Sequence, residues 1–314
     1  MTAHQELGVG YAVERHGAGF APIGDTIELV NDDMRPSADL ALFAMGADVG
    51  ALWRQWPSPS IAADEPTFAR VDAASATRAI GPLSLAPGMG GPLGQSGTAF
   101  GGGFAIARNE AAPLGSGVSV RLFDRAGTAS DGPLPLLEDR SVGYTAIAAI
   151  GDTLGVTYQA STGSDPIEIR FVRFDDAAAA IGSSISLGAG VRPHVASHAS
   201  GWGVIWEGSS GVMFATVTPS GTLGLAARMI ATGTARGASI TSDGSGGWAI
   251  VHRTSDGTSF VHLDATGAML GEAISRAGFY VDGIDVLTLD DERFVTVGLI
   301  AGGGSAFWVP CTLP

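Results

Sequence analysis

Six segments of the chain share an apolar stretch, and in five of them the position that ends this stretch holds a residue that could contact a ligand. The residue two positions earlier is apolar in nearly every copy, whereas this position varies among arginine, aromatic residues and histidine. Guanidinium groups donate hydrogen bonds and aromatic rings stack, so the mixture suits a binding site. We predict five ligand-binding residues: Arg54, Arg108, Tyr158, Trp206 and His252. The alternative is that these positions are strand ends that extend into solvent.

The position that follows is polar in five of the six copies, with Gln55, Asn109, Gln159, Glu207 and Arg253. Glycoside hydrolysis needs a pair of carboxylates across a cleft. Several acidic residues could supply such a pair, and the sequence does not select among them: Asp39, Asp64, Glu65, Asp282 and Asp285. The catalytic residues therefore stay unassigned at this point.

Other kinds of chemistry find little support in the sequence. His194 and His198 would lie on one face of a strand but about 13 Å apart, too far for a shared metal ion. Cys311 stands alone, so it forms no internal disulfide and is a poor candidate nucleophile. Glycine-rich stretches lack the lysine and the helix of a phosphate loop. We expect neither a metal nor a cofactor.

A repeat organises the chain and must position these residues. Three stretches superimpose almost without gaps, namely Thr153–Tyr158, Gly201–Trp206 and Gly247–His252, and weaker copies bring the total to six at intervals of roughly 45 to 55 residues. We predict an all-β fold, a six-bladed β-propeller of four-stranded antiparallel blades in a single domain, residues 1–314. The expected blades cover roughly 31–90, 91–142, 143–190, 191–235, 236–278, and 279–314 together with 11–30.

The sixth blade lacks a last strand, and the N-terminal segment offers one. An apolar residue followed by glycine marks the entry to the last strand of most blades, as in Ile181-Gly182, and Ile23-Gly24 repeats this pattern before the strand-like segment 26–30. Pairing the two ends of the chain would remove two unpaired strand edges. We predict that one or two N-terminal strands close the ring.

Composition excludes several classes of partner. Seventeen basic against 31 acidic residues give a formal charge of −14, which opposes binding to nucleic-acid phosphates. No apolar run approaches the length of a membrane span, and the first residues lack a signal-peptide pattern. We expect a monomeric extracellular or periplasmic protein whose leader is not part of this sequence, with a cytoplasmic location as the alternative.

The second half of the chain carries two linked motifs, Arg192-Pro193-His194-Val195-Ala196 followed by Gly201-Trp202-Gly203-Val204-Ile205-Trp206. In these it resembles secreted bacterial β-propeller repeat proteins, which are lectin-like or uncharacterised. The resemblance implies that a ligand would sit over the central channel, at the end where each second strand stops. Residues 255–260 are similar to the Asp-box of sialidases, but they lack the spacer between Asp and Gly, which argues against that family.

The main functional hypothesis is a non-enzymatic binding module for a small molecule, a glycan or a cell-surface partner, because arginines and aromatic residues repeated around a ring suit contact better than a single reaction. One alternative is a hydrolase or lyase with a single active site in the channel mouth. Another is a scaffold with protein partners on its rim. The sequence does not decide whether the chain is an enzyme.

Overall fold

Antiparallel strands dominate the computed structural model, because the apolar stretches of the repeat are short and glycine-bearing turns separate them. The structure describes residues 2–6, 10–14, 27–28, 35–36, 41–56, 65–72, 77–85, 96–112, 115–130, 136–138, 141–163, 166–232, 236–277, 282–290, 293–300 and 303–310. These residues form seven antiparallel sheets. None of them belongs to a helix that could span a membrane.

Five of the sheets have four or five strands, and we call them blades I to V in chain order. Blade I contains β4 (Arg35–Pro36), β5 (Ala41–Met45), β6 (Asp48–Trp56), β7 (Glu65–Asp72) and β8 (Thr77–Ser84). In this blade β4 and β5 both pair with β6. Blade II contains β9 (Ser96–Phe100), β10 (Gly103–Ala112), β11 (Gly115–Phe123) and β12 (Leu136–Glu138). Blade III contains β13 (Ser141–Ile150), β14 (Thr153–Ser161), β15 (Glu168–Phe174) and β16 (Ala180–Ala189).

Blades IV and V repeat the same meander. Blade IV contains β17 (Val191–His198), β18 (Gly201–Glu207), β19 (Gly211–Val217) and β20 (Leu223–Thr232). Blade V contains β21 (Arg236–Ser242), β22 (Trp248–Arg253), β23 (Gly257–Leu263) and β24 (Ile274–Ala277). Two three-stranded sheets lie at the ends of the chain: β1 (Thr2–Glu6), β2 (Gly10–Glu14) and β3 (Ile27–Glu28), and then β25 (Asp282–Asp290), β26 (Arg293–Ile300) and β27 (Gly303–Pro310).

The first strands of successive sheets lie side by side around a central axis. β5 neighbours β9, β9 neighbours β13, β13 neighbours β17, β17 neighbours β21, and β21 neighbours β25. Each sheet then extends outward from its first strand. This arrangement is a β-propeller, as the repeat predicted.

The predicted count of six four-stranded blades is wrong, because the described residues form five blades of four or five strands. The predicted closure by the N-terminal segment is not confirmed either. Of residues 23–30 the structure describes Ile27–Glu28, and these pair with β2 through Val13 and Ala12. The first strand of the chain, β1, lies beside β26 and β27 of the last sheet, although no pairing joins them among the described residues.

The core lies between the blades, where large side chains of one sheet meet glycines of the next. Trp202 of blade IV is fully buried, its Nε1 donates to the Ala148 carbonyl at 3.1 Å, and a Cβ on Gly155 of blade III would lie 2.5 Å from that nitrogen. Trp248 of blade V packs on Gly203 of blade IV in the same way. In the repeat, a tryptophan on the second strand of one blade therefore packs against a glycine on the second strand of the preceding blade.

Candidate functional site at the channel mouth

The second strand of each blade ends where the first strand begins, and we call this end of the blades the mouth face. Register places Gln159 opposite Gly143 in blade III, Glu207 opposite Val191 in blade IV, and Arg253 opposite Arg236 in blade V. The predicted ligand-binding residues stand one position deeper in the second strands. The structure therefore brings their backbones to one end of the blades.

Two of these five residues belong to the core. Tyr158 is fully buried in the cluster between blades II and III, and Trp206 is fully buried between blades III and IV. The Trp206 Nε1 donates to the Ala189 carbonyl at 3.0 Å. A side chain with no accessible surface presents nothing to a ligand, so both residues support the mouth face from beneath.

For the other three predicted residues, the structure describes the side chains of Arg108 and His252 but only the backbone of Arg54. Arg108 lies on β10 with little accessible surface, and Arg54 is described by its backbone alone, paired with Pro66. His252 is 3% exposed, and neither of its ring nitrogens has a hydrogen-bond partner in the described part of the chain. Burial lowers the pKa of His252, against a smaller opposite effect of the Arg253 backbone, which favours a neutral imidazole.

Polar side chains one position further along the second strands join neighbouring blades. The Asn109 amide of blade II donates to the Val142 carbonyl of blade III at 3.2 Å. The Gln159 side-chain oxygen of blade III accepts a hydrogen bond from the Arg192 backbone amide of blade IV at 2.6 Å. These amide side chains therefore fix where each first strand starts at the mouth face.

Arg192 is the centre of the most elaborate cluster at this end. Its Nη1 lies 3.3 Å from Oε2 of Glu207, and its Cζ lies 6.0 Å from the ring centroid of Tyr144 in blade III, within cation–π range. The Arg192 side chain is 43% exposed and that of Glu207 only 11%. Burial by itself would lower the pKa of Arg192, but hydrogen bonding with Tyr144 and the charge of Glu207 outweigh it, so the pKa is raised.

The backbone is strained at the same two residues. Tyr144 has φ of 33° and Arg192 has φ of 53°, and each lies at a register irregularity in the first strand of its blade. A residue with a Cβ atom pays about 1 to 3 kcal/mol for such a conformation, and strain of this kind concentrates at functional sites. Bulges also redirect side chains beside active sites. The cluster Tyr144, Gln159, Arg192 and Glu207 is therefore the candidate functional site.

Sequence reasoning identified only part of this cluster. Gln159 and Glu207 were placed in the polar position next to the predicted ligand-binding residues, and Arg192 was recognised as part of a repeated motif. Tyr144 was missed, although a tyrosine beside Gly143 in an otherwise apolar first strand is an available signal. Among the described residues there is no group of three or more histidine, cysteine, aspartate or glutamate side chains that could hold a metal ion.

Comparisons with known proteins identify the fold rather than a family. No family model matches the chain, and no curated protein matches it. Among solved structures, an α-L-arabinofuranosidase from Fusarium graminearum in complex with an iminosugar inhibitor has a TM-score of 0.61 at 13% identity, over 86% of this chain and 92% of that one. An α-L-arabinanase from Penicillium chrysogenum complexed with arabinobiose has a TM-score of 0.59 at 13% identity, over 87% and 92%.

A sialidase from Trypanosoma rangeli in complex with sialic acid is also similar, with a TM-score of 0.53 at 10% identity, over 96% of this chain and 57% of that one. At these identities the likeness shows a shared β-propeller fold. The main hypothesis of a non-enzymatic binding module is nevertheless contradicted, because these neighbours are enzymes that hydrolyse glycosides. Of the hypotheses drawn from the sequence, the hydrolase is the one that they favour.

Proposed function

We propose that the chain is a glycoside hydrolase whose active site lies at the mouth face between blades III and IV. The observation that carries this proposal is the largely buried Glu207 carboxylate, held by Arg192 beside Tyr144 on a strained backbone. Glycosidases require a carboxylate fixed beside the bond that breaks. The likeness to arabinan- and sialic-acid-processing enzymes supports the choice of glycosides as the substrate class.

In this proposal Glu207 transfers the proton to or from the glycosidic oxygen or the attacking water. Arg192 keeps the carboxylate oriented through Nη1, and the Gln159 side chain holds the Arg192 backbone from the preceding blade. A second carboxylate is needed for a complete mechanism. Three of the candidate carboxylates have a backbone that the structure describes: Glu65 at the start of β7, and Asp282 and Asp285 on β25 in the sheet that follows blade V.

The remaining predicted residues belong to the same proposal. In this proposal Arg108, His252 and Arg54 stand at corresponding positions of the second strands of blades II, V and I, at the same end of the blades as the site. We further propose a single domain over residues 1–314 that acts as a monomer outside the cytoplasm of a bacterium. An extracellular or periplasmic location suits a substrate that is a polysaccharide.

The test is a hydrolysis panel with a matched pair of variants. Release of sugar is measured from arabino-oligosaccharides, sialylated oligosaccharides and aryl glycosides of common sugars, with Glu207→Gln and Glu168→Gln compared against the wild type. Glu168 is the control because it also forms an ion pair, with Arg170 at 2.9 Å, but stands on the third strand of blade III.

We expect hydrolysis of at least one substrate, a loss of at least about a thousandfold for Glu207→Gln, and near wild-type rates for Glu168→Gln. Thermal melting checks that both variants fold. Absence of hydrolysis across the panel would contradict the proposed function. Full activity of a folded Glu207→Gln protein would contradict the assignment of this site.

A further inference from the structure

Two exposed apolar side chains flank the groove between blades III and IV at the mouth face. Ile167 is 36% exposed and stands two positions before Ile169, which packs against blade IV. Residues two positions apart in extended chain lie on one face, so Ile167 also faces blade IV. Met229 of β20 is 47% exposed, and its register partner Met213 packs with Trp206 against blade III. Ile167 and Met229 are therefore opposite walls of one groove, which we call the outer groove.

The floor of the outer groove is closed and apolar. A Cβ on Gly188 of blade III would lie 3.6 Å from the Trp206 ring and 4.0 Å from the Cβ of Ala227 on β20. The two blades are therefore in contact at this depth, and Met229 stands two positions nearer the mouth than Ala227. Trp206 is fully buried, and its one polar atom already donates to the Ala189 carbonyl.

Both walls of the outer groove reach the candidate site. On blade III, the Ile167 carbonyl accepts from the Gly190 amide at 2.9 Å, and a Cβ on Gly190 would lie 2.5 Å from the Glu207 carbonyl oxygen. On blade IV, the Ser210 hydroxyl lies 3.9 Å from Sδ of Met229, in the turn that begins directly after Glu207. The outer groove and the candidate site are therefore continuous at the strand end that carries Glu207.

The chemistry changes along this path from polar to apolar. The candidate site offers the carboxylate of Glu207 and the guanidinium of Arg192, whereas the outer groove offers the side chains of Ile167 and Met229. Ligand sites commonly combine an apolar lining with a few polar groups that fix orientation. A sugar ring carries hydroxyl groups that lose free energy without hydrogen-bond partners, and aliphatic side chains provide none. The outer groove therefore suits an apolar group that is joined to a sugar.

We infer that the site takes a glycan linked to an apolar aglycone, with the sugar at Glu207 and the aglycone in the outer groove between Ile167 and Met229. This inference rests on the proposed function and names its substrate class. In the reaction, water adds to the anomeric carbon and the bond from that carbon to the aglycone oxygen breaks. The aglycone leaves as an alcohol or phenol that has gained a proton. Alkyl and aryl aglycones share the required chemistry and form separate arms of the test.

The experiment varies the aglycone and keeps the sugar constant. The probes are methyl, butyl, hexyl and phenyl α-L-arabinofuranosides and the same four glycosides of sialic acid. Calorimetry on Glu207→Gln measures affinity, and wild-type protein gives kcat/KM. A methylene group that leaves water completely tightens binding up to about fourfold. A groove that is open on one side should give about twofold for each methylene, so hexyl should bind about tenfold to thirtyfold more tightly than methyl. The heat capacity change of binding should become more negative along the alkyl series.

Three methionine and isoleucine variants locate the effect. Met229→Gln and Ile167→Gln should each remove most of the gain from methyl to hexyl or phenyl. Met269→Gln is the matched control, because Met269 is 46% exposed but pairs with Leu263 at the other end of blade V, and it should keep the gain. Thermal melting checks that all three variants fold, as exposed positions allow.

Binding and hydrolysis together separate the two proposals. Tighter binding of hexyl or phenyl glycosides without hydrolysis of any probe supports this inference and contradicts the proposed function. Hydrolysis with the same kcat/KM for all four aglycones supports the proposed function and overturns this inference. A full gain in both Met229→Gln and Ile167→Gln overturns the inference as well, and absence of binding to every probe contradicts both proposals.

Discussion

Lowering the pH from 7 to 4 should destabilise the protein through His194 on the first strand of blade IV. Burial lowers the pKa of His194 from 6.5 to about 4. Between these two values the unfolded chain binds a proton at this residue that the folded chain does not bind. The free energy of unfolding therefore falls as the pH drops through this window and levels off, for this group, near pH 4.

The magnitude follows from the two pKa values. Each pH unit between them is worth about 1.4 kcal/mol, so the loss from pH 7 to pH 4 is at most about 3 kcal/mol. His194 keeps some accessible surface, and water there screens the charge, which reduces the expected loss to about 2 to 3 kcal/mol. That is a large fraction of the net stability of a typical domain.

The assay is urea unfolding at pH 7, 6, 5 and 4 for the wild type and for His194→Gln, whose side chain does not titrate. Carboxylates titrate in both proteins, so the difference between the two curves isolates the histidine. We expect the wild type to lose about 2 to 3 kcal/mol more than the variant over this range. His252→Gln should flatten the wild-type profile in the same direction, because burial lowers the pKa of His252 too. Parallel profiles for wild type and His194→Gln would refute the reasoning.

Three further changes test the packing and the site. Gly155→Ala should cost about 1 to 3 kcal/mol in urea unfolding, because the new Cβ would lie 2.5 Å from Nε1 of Trp202. Gln159→Leu removes the acceptor of the Arg192 amide and should lower kcat of the proposed hydrolysis at least about tenfold, since a small misplacement at a site is costly. Arg108→Gln should lower kcat/KM of the proposed hydrolysis at least about tenfold.

Two of these changes have a matched control. Gly143→Ala should leave stability nearly unchanged, because the nearest neighbour of its Cβ would be the Gln159 side-chain nitrogen at 3.8 Å. Gln159→Glu keeps an acceptor for the Arg192 amide and should retain more activity than the leucine variant. A stable Gly155→Ala protein would contradict the interlock between tryptophan and glycine, and full activity of Gln159→Leu would contradict the positioning role.

The repeat was predictable because local patterns determine it. Strand β14 covers Thr153–Ser161, and the repeat placed a strand at Thr153–Tyr158. The glycine that marks the last strand also has a local cause, since Gly81 and Gly182 have φ of 94° and 76°, which residues with a Cβ atom rarely adopt. Such signals depend only on nearby residues, and the sequence displays them directly.

The number of blades and the closure depend instead on pairing between distant segments. The segment around Ile27 has the composition of a strand, but composition does not choose between β2 and the last sheet as its partner. Loop entropy favours the nearer partner. An alternation of apolar and polar residues specifies which face of a strand is covered, and it carries no information on which distant strand lies beside it.

Two of the predicted ligand-binding residues lie one position short of the exposed ends of their strands, for a related reason. Both faces of a propeller blade pack against neighbouring blades, so the second strand stays buried on either face until it ends. Tyr158 and Trp206 are therefore interior residues, and exposure begins at Gln159 and Glu207. The ordinary rule that alternate residues of a strand face solvent holds for sheets with one open face, which these blades lack.

Tyr144 and Arg192 show where local sequence rules stop being informative. Neither tyrosine nor arginine favours a positive φ, and each lies in a strand whose other residues follow the regular pattern. Such a conformation persists only where the surrounding contacts compensate for it, as the Gln159 oxygen does at the Arg192 amide. Contacts across two blades thus hold Arg192 beside the largely buried carboxylate of Glu207. A functional role for this placement would account for the backbone strain, because the strain itself lowers stability.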